Sequence, residues 1–264
     1  DIHTEKGDFQ SVGELLDDYI RHLGEKPRYI RTGLSKLDEN LHLVPGNYFV
    51  IGGRPSAGKT ALSLQLAAGM AKQGKRVCYF SLETDPATLQ ARLIANQLYA
   101  PLSAVKNKTL SINELDRLAD MKRWPLYIRS AAGKGVAWIK AQALRMKADI
   151  IFVDYLQLIH ERGNSDRYNA ITEISIALHE LAQTTGILVV ALAQLNRNAA
   201  RAEPSNADLR ESGQIEQDAD AILLLSADGD TYFSRLTKNK EGRVGNAGLE
   251  FDKMTQRFTC VTAN

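Results

Sequence analysis

Residues 53 to 60 read Gly-Arg-Pro-Ser-Ala-Gly-Lys-Thr, which fits G-x-x-x-x-G-K-[S/T], a loop that wraps backbone N–H groups around phosphates. Gly53 and Gly58 let the chain turn tightly, so successive amides can point at phosphate oxygens. Lys59 brings a positive charge to the β- and γ-phosphates, and the Thr60 hydroxyl can ligate Mg²⁺. Two carboxylates complete the chemistry. Asp154 ends the apolar run Ile150-Ile-Phe-Val and suits the Mg²⁺-holding role; Glu83 follows Tyr79-Phe-Ser-Leu and suits the orientation of an attacking water. Gln194 ends a further apolar run, Ile187 to Ala193, where an amide either senses the γ-phosphate or simply caps the strand.

These residues need a frame. Tyr48-Phe-Val-Ile51 predicts a buried strand before the loop, and Thr60 to Gln73 predicts a helix after it, with Leu62, Leu66 and Met70 on one face and Gly74 at its stop. Further strands are expected at Arg76–Ser81, Leu126–Arg129, Ile150–Val153, Ile187–Ala193 and Ala221–Leu225. Helices are expected after Asp85-Pro86, from the capping box Ser111–Glu114, and over Ile171–Thr184. Alternating β and α elements imply an α/β fold, a mostly parallel twisted sheet flanked by helices, with its strand ends gathering Lys59, Glu83 and Asp154 on one edge. From Thr231 onward the pattern changes to strands alone (Tyr232–Thr237, Ala247–Phe251, Arg257–Val261), an antiparallel C-terminal edge.

Composition narrows the class. The 264 residues are 44% hydrophobic and 24% charged, enough for one large domain. A net charge of +2 requires any nucleic-acid affinity to come from a local arrangement of charge. Cys78 and Cys260 lie among apolar or aromatic residues, without metal spacing, and read as buried thiols of a reducing compartment, hence a cytoplasmic protein. No apolar run approaches the length of a membrane span. Residues 1 to 10 read as a polar tail. The capping box Ser11–Glu14 opens a short amphipathic helix with Val12, Leu15, Leu16, Tyr19, Ile20 and Leu23 on one stripe, which packs either on its own domain or on a neighbouring subunit. We therefore divide the chain into 1–27, tail and linker helix, and 28–264, the ATPase domain.

Three more strings carry a resemblance: Asp154-Tyr-Leu-Gln-Leu158, Ala193-Gln-Leu-Asn-Arg197, and Asp208-Leu-Arg-Glu-Ser-Gly-Gln-Ile-Glu-Gln-Asp-Ala-Asp220. With Phe80-Ser-Leu-Glu83 and the phosphate loop, in this order, the chain from Thr32 to its C-terminus resembles the RecA-like motor domain of DnaB-type replicative helicases. The resemblance implies ATP and Mg²⁺ as cofactors, a homo-hexameric ring with ATP between subunits, and single-stranded DNA in the channel, traversed 5′ to 3′. It implies that Gly53, Ser56, Ala57, Gly58, Lys59, Thr60 and Ala61 cradle the phosphates and that Arg92 reaches toward the nucleotide. Glu83 would be the catalytic carboxylate, Asp154 the Mg²⁺ acid and Gln194 the sensor. Arg210, Glu211 and Gly213 match the segment that touches the DNA backbone, Glu211 through its N–H; a surface ion pair of Arg210 and Glu211 is the plainer alternative. Two loops, 160–169 with Arg162 and Arg167 and 196–206 with Arg197 and Arg201, would face the channel or else stand as ordinary surface.

The resemblance has departures. Lys238-Asn-Lys-Glu-Gly-Arg243 carries Lys240 where the family places an arginine finger acting on the neighbour's ATP. Lys238 matches the preceding lysine; Lys240 is ranked first for the finger and Arg243 second. Asp1 to Pro27 is too short for the family's N-terminal collar domain, through which primase and a helicase loader would be met. The stretch between Leu225 and Tyr232 is short and acidic (Asp228, Asp230). Rival readings are an oligomeric RecA-like regulatory ATPase without unwinding activity, and a small-molecule kinase, for which no lid is evident.

Overall fold

The computed structural model describes residues 9–25, 29–160, 167–195, 205–209, 213–228 and 231–261. In chain order the elements are α1 (Val12–Arg21), α2 (Ser35–Asp38), β1 (Tyr48–Gly53), α3 (Lys59–Lys72), β2 (Val77–Ser81), α4 (Pro86–Leu98), α5 (Leu102–Lys106), α6 (Ile112–Met121), β3 (Leu126–Ser130), α7 (Val136–Arg145), β4 (Ile150–Asp154), α8 (Arg167–Thr185), β5 (Leu188–Gln194), α9 (Gly213–Asp218), β6 (Ala221–Asp228), β7 (Thr231–Asn239), β8 (Gly245–Asn246), β9 (Leu249–Asp252) and β10 (Arg257–Cys260). Short 3-10 turns follow β4 (Leu156–Leu158) and precede α9 (Asn206–Leu209).

Eight strands form one sheet in the order β3-β2-β4-β5-β1-β6-β7-β8. Every pairing from β3 to β6 is parallel; β7 and β8 add an antiparallel edge. Side chains alternate between two cores, as the pleat demands. Phe49, Ile51, Tyr79, Phe152, Val190 and Leu192 pack on the side of α3, while Tyr48, Val50, Phe80, Ile151, Val153 and Val189 share the other core with Ile174, Leu178 and Leu181 of α8. The strands of the middle are buried on both faces, so they read as continuous apolar runs.

Helix α3 differs from its amphipathic expectation. Ten of its residues, from Ala61 to Ala71, are buried on nearly every face, because the helix runs under both the N-terminal segment and the β9–β10 hairpin. That hairpin forms its own two-stranded sheet and docks by polar side chains. Gln65 of α3 clamps Phe258 at both backbone atoms, donating to its O and accepting from its N–H, each at 2.8 Å. Asn96 of α4 donates to Gln65 Oε1 at 2.9 Å and to Gln256 O at 2.7 Å. One thiol departs from the sequence reading: Cys78 is buried, but Cys260 is only half-buried.

Helix α1 closes its capping box, with Ser11 N–H donating to Glu14 Oε2 at 2.7 Å and Glu14 N–H donating to Ser11 Oγ at 3.2 Å. None of its residues is buried; Val12 is 72% and Tyr19 66% exposed. Packing on its own domain is therefore not what this structure shows. An apolar groove of about 570 Å³ lies elsewhere on the domain, between α4, α6 and β3, lined by Leu93, Ile94, Leu118, Met121 and Trp124. Among the described residues no helix is long and apolar enough to cross a membrane.

Candidate active site

Register brings the chemistry together. Gly53, at the end of β1, lies beside Gln194 of β5, and Ser81, at the end of β2, lies beside Asp154 of β4. The chain therefore delivers the phosphate loop, Glu83, Asp154 and Gln194 to the carboxyl edge of the sheet, where open α/β sheets bind ligands. A cleft of about 690 Å³ opens there. Its lining includes Ser56, Gly58, Lys59, Thr60, Ala61, Glu83, Arg92, Asp154 and Gln194, all nine expected from sequence.

The loop geometry explains its residues. Gly58 has φ +84°, and a Cβ there would come within 2.9 Å of Phe258 Cζ, so both backbone conformation and the hairpin exclude a side chain. Gly53 is required for a different reason than a tight turn: it is the last residue of β1, and a Cβ would meet Lys59 Cγ at 3.0 Å and Leu225 O at 3.1 Å. Gly53 and Ala57 are buried behind the loop and are absent from the cleft lining. Helix α3 begins at Lys59, so its unpaired N-terminal amides and positive dipole end face the cleft.

Lys59 Nζ donates to Gly53 O at 2.7 Å and to Arg54 O at 3.0 Å. Burial lowers its pKa to about 8, a fall opposed by the charges of Asp154 and Glu83. Asp154 is buried, which pushes its carboxyl up; hydrogen bonds from Tyr79 and Thr60 and the charge of Lys59 oppose that rise. Tyr79 Oη donates to Asp154 Oδ2 at 2.9 Å and lies 2.8 Å from Ser63 Oγ. Glu83 is exposed and lines the cleft.

The donor set fits a magnesium nucleotide. A hydroxyl and a carboxylate joined by a hydrogen bond are hard oxygen donors, and Mg²⁺ commonly takes one or two protein oxygens together with phosphates and waters. Among the described residues no group of three or more His, Cys, Asp or Glu could hold a metal by itself, which leaves this mixed arrangement.

Sequence reasoning missed part of the cleft. Tyr155, Phe251, Lys253 and Gln256 also line it, the last three from the β9–β10 hairpin. The hairpin follows the phosphate loop by nearly two hundred residues and carries no motif. Lys238, Lys240 and Arg243 lie elsewhere. Lys238 pairs in register with Ile222 near the start of β6, whereas Gly53 pairs with Leu225, so the lysines stand by the amino edge of the parallel strands and away from their own chain's cleft. Lys238 Nζ donates to Glu216 O and Gln217 O, Lys240 Nζ pairs with Asp220 Oδ1, and Arg243 is exposed. Burial lowers the Lys238 pKa, as does the charge of Lys240. Gly213 is the first residue of α9 and exposed. Arg162, Arg197, Arg201, Arg210 and Glu211, and the Arg167 side chain, lie outside the described residues.

A phosphate loop on a buried helix, two carboxylates and a strand-end amide at the carboxyl edge of a mostly parallel sheet define a P-loop ATPase with a RecA-like core. The DnaB-like helicase C terminal domain family matches residues 29–260, and the chain belongs to that family. It is similar to the replicative DNA helicase DnaB of Treponema pallidum (36% identical, 96% of this chain and 62% of the relative) and to the replicative DNA helicase DnaC of Bacillus subtilis (32% identical, 95% and 62%). The chain thus spans just under two thirds of the length of these relatives. Among solved structures it is similar to an ATPase domain that it matches end to end (TM-score 0.88, 28% identity, 97% of this chain and 100% of that one). It is also similar to a DnaB-like replicative helicase studied with primase (TM-score 0.87, 27% identity, 97% and 69%).

Proposed function

We propose that this chain is the ATP-hydrolysing motor of a hexameric DNA helicase that moves along single-stranded DNA and separates duplex during replication. The observation that supports it most is the convergence of Lys59, Thr60, Glu83, Arg92, Asp154 and Gln194 on one cleft in a member of the DnaB-like family. ATP and Mg²⁺ are the cofactors. The loop amides and Lys59 bind the β- and γ-phosphates, and Arg92 adds a second cation. Thr60 and Asp154 would hold Mg²⁺, which would supply charge neutralisation at the phosphates. Glu83 orients water and accepts its proton at a carboxylate oxygen as the water oxygen bonds the γ-phosphorus and ADP leaves. Gln194 responds to the γ-phosphate.

Assembly completes the site. Lys240, with Lys238 and Arg243, acts on the ATP of the adjacent subunit. The apolar stripe of α1 seats in the groove of a neighbouring copy, which matches an unpartnered apolar helix to an apolar trough. Residues 1–27 are then a tail and linker, and 28–264 the motor. Arg197, Arg201, Arg210, Glu211 and Gly213 contact single-stranded DNA, six copies making a positive ring from a chain of low net charge. Primase and a helicase loader are partners of the whole protein, which acts in the cytoplasm. The test is strand displacement on a forked DNA duplex: ATP-dependent unwinding, absent in Lys59→Ala, is expected. ATP turnover without displacement by stable hexamers would point to a regulatory ATPase.

A further inference from the structure

Ser81 ends β2 and is buried although it is polar. Its main chain is engaged on both sides: Ser81 pairs in register with Asp154 of β4 and with Ser130 of β3, and its carbonyl accepts the Ala131 N–H at 2.7 Å. The hydroxyl reaches forward along the chain. Oγ donates to Thr84 O at 2.6 Å and accepts the Thr84 N–H at 3.1 Å. One side chain thus bonds both main-chain polar atoms of Thr84 and closes a loop whose inner residues are Leu82 and Glu83. Leu82 is buried and donates its N–H to Asp154 O at 2.8 Å. The loop is therefore pinned at one point by Ser81 and at another by the residue expected to hold Mg²⁺.

Glu83 is the exposed residue of this loop and lines the cleft. Among the described residues no hydrogen bond holds its carboxylate, so the backbone that carries it sets where it points. A long, solvated side chain keeps its rotamer freedom unless something restricts it. Fixing the loop at both ends narrows the space the carboxylate can search. The same closure sets the start of α4. Asp85, next after Thr84, is the N-cap of that helix and accepts the Thr88 N–H at 3.0 Å, and Arg92 extends from α4 into the cleft lining.

We propose that Ser81 is a positioning residue for the hydrolytic step: its hydroxyl holds the Leu82–Glu83 loop so that the Glu83 carboxylate meets the attacking water. The inference rests on the reading of Glu83 as the group that orients that water. The test is single-turnover hydrolysis of γ-labelled ATP by the assembled chain, with affinity for a fluorescent nucleotide measured alongside, in Ser81→Ala, Glu83→Gln and the double variant. A misplacement of about 1 Å costs about 10²-fold in rate, so Ser81→Ala is expected to slow the step by about 10- to 100-fold with nucleotide affinity unchanged. It is expected to add nothing once Glu83→Gln is present, because the hydroxyl acts through that carboxylate. Ser81→Cys fills nearly the same space with a weak donor and is expected to slow the step likewise, which keeps the proposal testable should the alanine chain not fold. A wild-type rate in the Ser81 variants, or an equal further loss in the Glu83→Gln background, overturns the proposal alone. A wild-type rate in Glu83→Gln overturns the reading of Glu83 and the proposal with it.

Discussion

Lys240 Nζ lies 2.7 Å from Asp220 Oδ1, while the other oxygen of that carboxylate accepts the N–H of Tyr48, the first residue of the strand that leads to the phosphate loop. The lysine side chain is about half exposed, the aspartate almost covered. Lys240 is thus held by a carboxylate anchored to its own sheet. On the proposed reading, in which Lys240 acts on a neighbour's ATP, nucleotide at the interface would have to win it from Asp220. Trans-acting arginines are worth about 10³- to 10⁵-fold in rate, and a lysine without the planar fork is expected at or below the lower end. Lys240→Ala should abolish DNA-stimulated hydrolysis and leave nucleotide affinity intact; steady-state turnover alongside fluorescent-nucleotide binding reads both. Unchanged turnover would remove Lys240 from the mechanism.

The stripe on α1 predicts assembly. Burying one Leu or Tyr of this kind is worth about 1.5 to 3 kcal/mol. Leu16→Asp with Tyr19→Asp should therefore shift sedimenting species from hexamer to monomer while the monomer keeps its fold, because neither side chain packs on its own domain. A hexamer that survives the double substitution would place the docking surface elsewhere.

Tyr79→Phe isolates the support of Asp154. The change removes a hydroxyl that bonds both Asp154 and Ser63 in a buried setting, at a cost of about 1 to 3 kcal/mol in stability. The Tyr79 hydrogen bond opposes the rise that burial causes in the Asp154 carboxyl and fixes one of its oxygens, so without that donor the proposed Mg²⁺ acid is less well positioned. The Mg²⁺ concentration for half-maximal ATP turnover should rise several-fold. An unchanged Mg²⁺ requirement would show that Tyr79 is only packing.

Much of the site was legible because its residues stand at strand ends next to apolar runs. Lys59, Glu83, Asp154 and Gln194 could be placed on one edge once the α/β alternation was recognised. Their supports were not legible. Tyr79 sits mid-strand where an aromatic reads as core, and its hydroxyl partners come from α3 and β4. Gln65 and Asn96 fall within ordinary helical sequence, and their role appears only when the hairpin folds back onto them. The burial of α3 on all sides was hidden because periodicity reports one covering layer, whereas this helix has more than one. Gly53 was read as a turn residue; close approach by Lys59 and Leu225 is what excludes a side chain there.

Lys59 predicts a pH dependence. Its pKa falls from the ordinary 10.5 to about 8 through burial. Below about 8 the ammonium is charged with or without phosphate, so binding takes up no proton. Between about 8 and 10.5 the free site is neutral and phosphate restores the charge. Affinity then falls as pH rises, with proton uptake on binding. The same depression makes the nucleotide-free chain gain stability across that window, since the unfolded lysine still holds its proton. Calorimetry at about pH 9 in two buffers of different ionisation enthalpy should detect the uptake. Equal observed heats in the two buffers would contradict it.

On the proposed reading, this cleft couples ATP hydrolysis to single-stranded DNA. The direct measurement is ATP turnover by the purified chain with and without single-stranded DNA, at concentrations that drive assembly, beside Lys59→Ala. The account predicts strong stimulation by DNA, lost in Lys59→Ala. Turnover indifferent to DNA in an assembled hexamer would contradict it.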